Sequence, residues 1–266
     1  MTPRLPALFL AHGSPLNAIL DTPYSQAWRT LGQQLPRPRA ILAISAHFQS
    51  RGTAVTAMPQ PRTIHDFGGF PQALYQVQYP APGSPPLAQR VAELLAPHPV
   101  HLDLTQWGLD HGSWSVLVHL YPQADIPVVQ LSLDVGKSAE QHYQLARRLR
   151  PLRDEGVMII GFGNIVHNLY TADRNDDAPP YPWAQRFDAA VRAALERDDH
   201  AALCHWQTLD TEARHSVPTD EHYLPLLYAA AAQHPGERPW FPTTGVIWGS
   251  LSMLSVGFSN ATPPPA

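Results

Sequence analysis

Four short apolar runs dictate most of what this 266-residue chain can fold into: Pro6–Ala11, Ala40–Ala46, Ile126–Leu133 and Gly156–Gly161. A strand with one wet face alternates polar and apolar residues. Runs this short and this continuous belong instead to a sheet covered on both faces. Between and after them lie segments of helical period. Pro85–Leu95 opens with proline in its first turn, and Ser138–Leu149 starts on a serine suited to cap it and ends near Arg147 and Arg148. Trp183–Glu196 and Tyr223–Gln233 are two further helices. Strands alternating with helices predict an α/β fold, a central mostly parallel or mixed sheet flanked by helices. None of the proline-rich connections is long enough for an interdomain linker, so residues 1–266 are expected to form a single domain, with 262–266 (Thr-Pro-Pro-Pro-Ala) a frayed tail.

Composition removes several classes of function. A net charge of −4 without a basic block speaks against nucleic acid and anionic membrane surfaces as partners. No stretch reaches the ~18 apolar residues of a membrane span, and the N-terminus lacks the h-region and cleavage site of a signal peptide, so a cytoplasmic location is expected. The single cysteine, Cys204, excludes an intrachain disulfide and any cysteine-based metal cluster; its Ala-Ala-Leu-Cys-His-Trp context suits a buried structural thiol. The sequence sets no oligomeric state.

The chain has 14 histidines and one lysine, so histidine is not part of a general basic enrichment. Four of them stand where core elements stop: Ala11-His12-Gly13-Ser14-Pro15, Ser45-Ala46-His47-Phe48, Asn164-Ile165-Val166-His167-Asn168 and Asp220-Glu221-His222-Tyr223. In open α/β sheets the ligand crevice lies outside the carboxyl ends of the strands. His12 and His47 can therefore meet there although far apart in sequence. His167 follows the fourth apolar run, and His222 stands at the start of a helix. One histidine at a strand end is more often hydrogen-bonded structure than ligand, but recurrence at equivalent topological places points to a metal site. The remaining histidines (98, 101, 119, 142, 200, 205, 215 and 234) read as surface or capping residues, with His215 bordering the pocket at most.

Six segments carry a more specific signal. Leu10-Ala11-His12-Gly13-Ser14-Pro15, Ile44-Ser45-Ala46-His47-Phe48, His65-Asp66-Phe67-Gly68-Gly69-Phe70-Pro71, Leu109-Asp110-His111-Gly112-Ser113-Trp114, Gly163-Asn164-Ile165-Val166-His167-Asn168 and His222-Tyr223-Leu224-Pro225 occur in that order along nearly the whole chain. In these the sequence resembles the class III extradiol ring-cleavage dioxygenases, in the DOPA 4,5-dioxygenase-like branch. The resemblance implies that His12, His47 and His222 hold one divalent metal, Zn(II) or Fe(II). It makes His167 the acid/base or a fourth metal ligand, and puts His111 beside the substrate or oxygen or just behind the ligands. It further implies a catecholic substrate cleaved with O2 beside the diol, to a yellow semialdehyde. The loop His65–Pro71 would be a lid or aromatic wall over the ring. His65 departs from the family, which more often has an aromatic hydroxyl there, and this could alter substrate preference.

A second departure bears on the chemistry. Non-haem Fe(II) oxygenases usually present two histidines and a carboxylate, whereas this branch places His222 third. Glu221 is adjacent, but at a helix start the two side chains diverge by about 100°, and His222 is the one expected to face the metal. Three imidazoles suit Zn(II) as well as Fe(II). That leaves a zinc hydrolase with a metal-bound water, or a non-catalytic binding module, as competing readings. Ring cleavage is preferred because His167 and His111 exceed what a structural metal needs.

Overall fold

A computed structural model describes residues 4–175 and 177–260; the expected tail at 262–266 lies outside them. The strands are β1 (Ala7–Ala11), β2 (Ala40–Ser50), β3 (Thr53–Thr56), β4 (Val100–Asp103), β5 (Val128–Asp134), β6 (Val157–Gly163), β7 (Arg238–Trp240), β8 (Val246–Ile247), β9 (Leu251–Ser252) and β10 (Val256–Ser259). Eight form one mixed sheet in the order β4-β3-β5-β2-β6-β1-β10-β7, and β8 pairs with β9 separately. The central β5-β2-β6-β1 ladder is parallel. These four strands are the four apolar runs, and their lack of alternation has the expected cause. Ala7 and Phe9 of β1 with Leu42 and Ile44 of β2 face one buried apolar layer, while Leu8, Leu10, Ile41 and Ala43 face a second on the other side. β7 and β10 are short and near one edge, and Pro239 makes β7 read as a loop; proline is tolerated there because an edge strand need not donate on both sides.

The helices are α1 (Pro23–Gln34), α2 (Gln72–Tyr75), α3 (Pro85–Leu95), α4 (His111–Leu120), α5 (Ala139–Arg147), α6 (Pro182–Glu196), α7 (His200–Cys204), α8 (Ala213–Ser216) and α9 (Leu224–Ala231). α3 has the bounds its proline start and apolar spacing predict, and Ser138 caps α5 in a reciprocal capping box with Gln141. α4 gives no such signal: it opens on His-Gly-Ser and buries both sides, so no amphipathic stripe exists to be read. Asp110 starts it, accepting from the Ser113 N–H. No described helix is long and apolar enough to cross a membrane.

His142 corrects the reading of the remaining histidines as surface or capping residues. It lies fully buried between α5 and α9, with Nδ1 2.9 Å from the Tyr228 hydroxyl. It faces inward because α5 packs along α9, whose Leu-Pro-Leu-Leu-Tyr-Ala-Ala-Ala surface is apolar all round. Burial lowers its pKa to about 4. The unfolded chain binds a proton near pH 6.5 and the fold does not until about pH 4, so this group's contribution is complete above 6.5 and lost as pH falls toward 4. A loss of about 3 kcal/mol is expected over that window. Urea denaturation of His142→Gln should show a stability gap to wild type that narrows by that amount between pH 7 and pH 4.

Candidate metal centre

The sheet brings the first two histidines together by register. Ala11 of β1 pairs with Gly163 of β6, and Ser45 of β2 pairs with Phe162, so the two outer strands reach one level on either side of β6. His12 follows directly, its N–H donating to the Gly163 carbonyl at 3.1 Å. Gly13 then turns the chain away at φ +61°, a region where a side chain would be strained and would also strike the Met253 sulfur. His47 corrects one expectation: it lies inside β2, which runs on to Ser50, instead of beyond the strand end. The pairing of β2 with β5 slips between Ile44 and Gln49, an irregularity of the kind that re-aims side chains next to functional sites.

His222 reaches the same place from the turn two residues before α9. Its carbonyl accepts from the Asn164 N–H at 2.9 Å, and a Cβ on Gly163 would sit 2.1 Å from that carbonyl oxygen. Glycine at the end of β6 therefore lets the approach to α9 lie directly on the strand. Gly163→Ala is expected to cost about 1–3 kcal/mol of stability through overpacking and to weaken metal binding by displacing His222. Thermal melting and metal titration of the variant check both effects.

His12, His47 and His222 converge: one ring nitrogen from each lies within 4.8 Å of the other two. Their ring centroids are 5.3, 5.3 and 5.1 Å apart, close to an equilateral triangle. Hydrogen bonds settle which nitrogen is free. His12 Nδ1 lies 3.0 Å from the Gly13 carbonyl and His222 Nδ1 lies 3.0 Å from Glu221 Oε1. A carbonyl or a carboxylate can only accept, so each Nδ1 carries the proton and each Nε2 keeps its lone pair. His47 Nδ1 stands 3.4 Å from Asp66 Oδ2. The three Nε2 atoms are buried without a hydrogen-bond partner. Buried polar atoms without partners are rare, and three at the vertices of one triangle fit a divalent metal ion. The supporting oxygens are the arrangement that orients metal-binding imidazoles.

Electrostatics agree with this donor set. Burial, reinforced by the neighbouring imidazoles, pushes His12 and His222 well below the usual histidine range. Burial lowers His47 to about 3, with His111 adding to the effect. All three are neutral at pH 7, as ligands must be.

Two further histidines border the triangle. His167 stacks flat on His222 with centroids 3.5 Å apart and planes 7° from parallel; its N–H donates to the Ser216 carbonyl and it bridges Leu251. Burial lowers its pKa to about 4. His111, the first residue of α4, has its ring 4.0 Å from that of His47 and its Nδ1 2.9 Å from Asp66 Oδ1. Asp66 thus serves two histidines and also accepts from the His111 N–H. Beneath them Asp110 is wholly buried, accepting from Ser45 Oγ at 2.6 Å, from Gln130 Nε2 at 2.7 Å and from Trp107 Nε1 at 3.2 Å. That network ties β2, β5 and the start of α4 into one support. Spacing in the sequence singled out neither aspartate, because each acts through partners at least 19 positions away as well as neighbours; only the Asp-His and His-Asp pairs hint at them.

The five histidines lie at the base of a cavity of about 320 Å³. This is within the range of small-molecule sites. Phe67 and Phe70 form one wall, edge to face with centroids 5.4 Å apart, and Phe67 also meets His111 edge-on. Leu169, Trp248, Leu251 and Pro15 form the rest, with Arg174 also lining it. His65 points away from the cavity, its Nε2 donating to the Val77 carbonyl at 2.9 Å, and its ring sits among Phe67, Tyr75 and Trp114. His215 does not line the cavity and packs on Trp183.

Comparison with known proteins agrees with this architecture. Residues 6–243 match the model of the catalytic LigB subunit of aromatic ring-opening dioxygenase. The 4,5-DOPA dioxygenase extradiol of Escherichia coli (strain K12) is 55% identical over 258 residues, covering 95% of this chain and 94% of that protein. The 4,5-DOPA dioxygenase extradiol of Beta vulgaris is 39% identical over 231 residues, covering 84% and 85% respectively. The crystal structure of an uncharacterised Escherichia coli K12 protein superposes with a TM-score of 0.85 at 47% identity, covering 96% of this chain and 100% of that one. The chain belongs to the LigB family of aromatic ring-opening dioxygenases, which are metal-dependent extradiol enzymes.

Proposed function

We propose that this protein cleaves the ring of a DOPA-like catechol with O2, using one Fe(II) held by His12, His47 and His222. The observation that carries this reading is the triangle of three buried, unpartnered Nε2 atoms at the floor of an aromatic-walled cavity. The names of the relatives support the substrate class. Bound there, Fe(II) supplies one-electron reactivity toward dioxygen and Lewis acidity toward the diol.

The protein's own groups do the rest. Phe67 and Phe70 orient the ring and exclude water from the reacting face. His167, neutral at pH 7 and open to the cavity, accepts a proton from one catechol hydroxyl. Its flat stacking on His222 keeps it beside the donor triangle without placing it in that triangle. His111, its backbone N–H bound by Asp66 and its Nδ1 2.9 Å from Asp66 Oδ1, presents its ring toward substrate or oxygen.

Anaerobic reconstitution with Fe(II), followed by air and L-DOPA, is expected to consume one equivalent of O2 and yield a yellow product. No turnover across a catechol panel, with iron shown to be bound, would refute the reading. The all-imidazole donor set also suits Zn(II), which favours one second reading, a zinc hydrolase. Ester hydrolysis that persists without oxygen is its signature.

A further inference from the structure

Among the described residues that line the cavity, Arg174 is the single permanent cation, and no aspartate or glutamate lines it. Arg174 is exposed, and among the described residues no carboxylate pairs with it. Its position is nevertheless set. The guanidinium carbon lies 5.9 Å from the centroid of the Trp248 ring, and the neighbouring Asp173 N–H donates to the Trp248 carbonyl at 3.0 Å. Trp248 itself holds φ +52°, a backbone region that bulky residues avoid, and the Tyr181 N–H braces the next residue through the Gly249 carbonyl at 2.8 Å. A strained, braced aromatic platform thus carries a guanidinium whose forked donors match a carboxylate.

We propose that Arg174 anchors a carboxylate on the substrate's side chain, so that the cavity selects catechols by the negative charge of their tail. This rests on the ring-cleavage reading. With the diol at the histidine floor, the tail points along the Phe67 and Trp248 walls and meets Arg174. An ammonium finds no anionic partner among the described lining residues and is repelled by the guanidinium. An acid without an amine should therefore serve as well as the amino acid, and an amine without an acid should serve poorly.

The test compares three catechols on the Fe(II)-loaded protein: 3-(3,4-dihydroxyphenyl)propionate, dopamine and uncharged 4-methylcatechol. Wild type is expected to show a KM for the propionate at least 10-fold below that for dopamine. Arg174→Gln should raise the KM for the propionate by 10- to 100-fold with kcat changed less than threefold, and leave 4-methylcatechol unaffected. Arg174→Lys should recover part of the loss. The Kd of the propionate for the zinc-loaded protein, measured by calorimetry without turnover, should rise in parallel. Equal KM values for propionate and dopamine, or an equal effect of Arg174→Gln on all three, would overturn the assignment while ring cleavage stands. No turnover of any of the three by wild type would overturn ring cleavage and this inference with it.

Discussion

Replacing His12 with alanine is expected to abolish stoichiometric metal binding and, with it, all turnover. Loss of an outer group that merely orients a metal ligand typically costs 10- to 100-fold in affinity, and loss of a ligand costs more. His111, the other imidazole near His12, lies 6.0 Å from it and packs at 4.0 Å against His47, while His167 stacks on His222. Elemental analysis after dialysis against an excess of metal should give near-zero occupancy for His12→Ala and His47→Ala. Circular dichroism and thermal melting establish that the fold survives. It should, because the apolar layers on both faces of the sheet are untouched by either change. Full occupancy in both variants would show that the metal sits elsewhere.

His167→Ala should behave in the opposite way. The metal stays, and turnover falls by about 10²- to 10⁴-fold, the usual worth of a positioned acid or base. The reasoning is geometric. His167 stacks on the face of His222 and contributes no nitrogen to the triangle formed by His12, His47 and His222. Loss of metal together with turnover would make His167 a fourth ligand. The pH profile adds an independent readout: a pKa of about 4 means that the imidazole is already deprotonated across the neutral range. Activity of the wild type should therefore not rise through pH 6 to 7 on account of this group. Its loss on acidification should follow lower pKa values.

The central sheet was legible because burial on both faces writes continuous apolar runs, and those runs are β1, β2, β5 and β6. The amphipathic and capped helices α3 and α5 were legible for a similar local reason. α4 was not, since a helix buried all round has no stripe, and β7 was hidden by Pro239 at the sheet edge. The candidate histidines were visible one by one, although His47 lies inside β2 and not at its end. Their orientations were not. The slip in β2 that turns His47, and the close approach of His222 to Gly163, are products of pairing between distant segments. His142 shows the reverse error: a helical histidine in a polar-looking stretch is buried because of the partner surface on α9.

By itself the sequence determined the α/β class, the four core strands, the candidate histidines and, through six ordered segments, the resemblance to ring-cleaving dioxygenases. These are properties of local pattern, since burial and turn chemistry act on neighbouring residues. Only the tertiary structure decided which nitrogen of each imidazole is free, that the Gly13 carbonyl and Glu221 hold the other nitrogens of His12 and His222 with Asp66 beside that of His47, and that Arg174 is a cation at the cavity wall. Those facts depend on atoms brought within a few ångströms across the sheet, and a hydrogen bond or a ligand set exists only at that range.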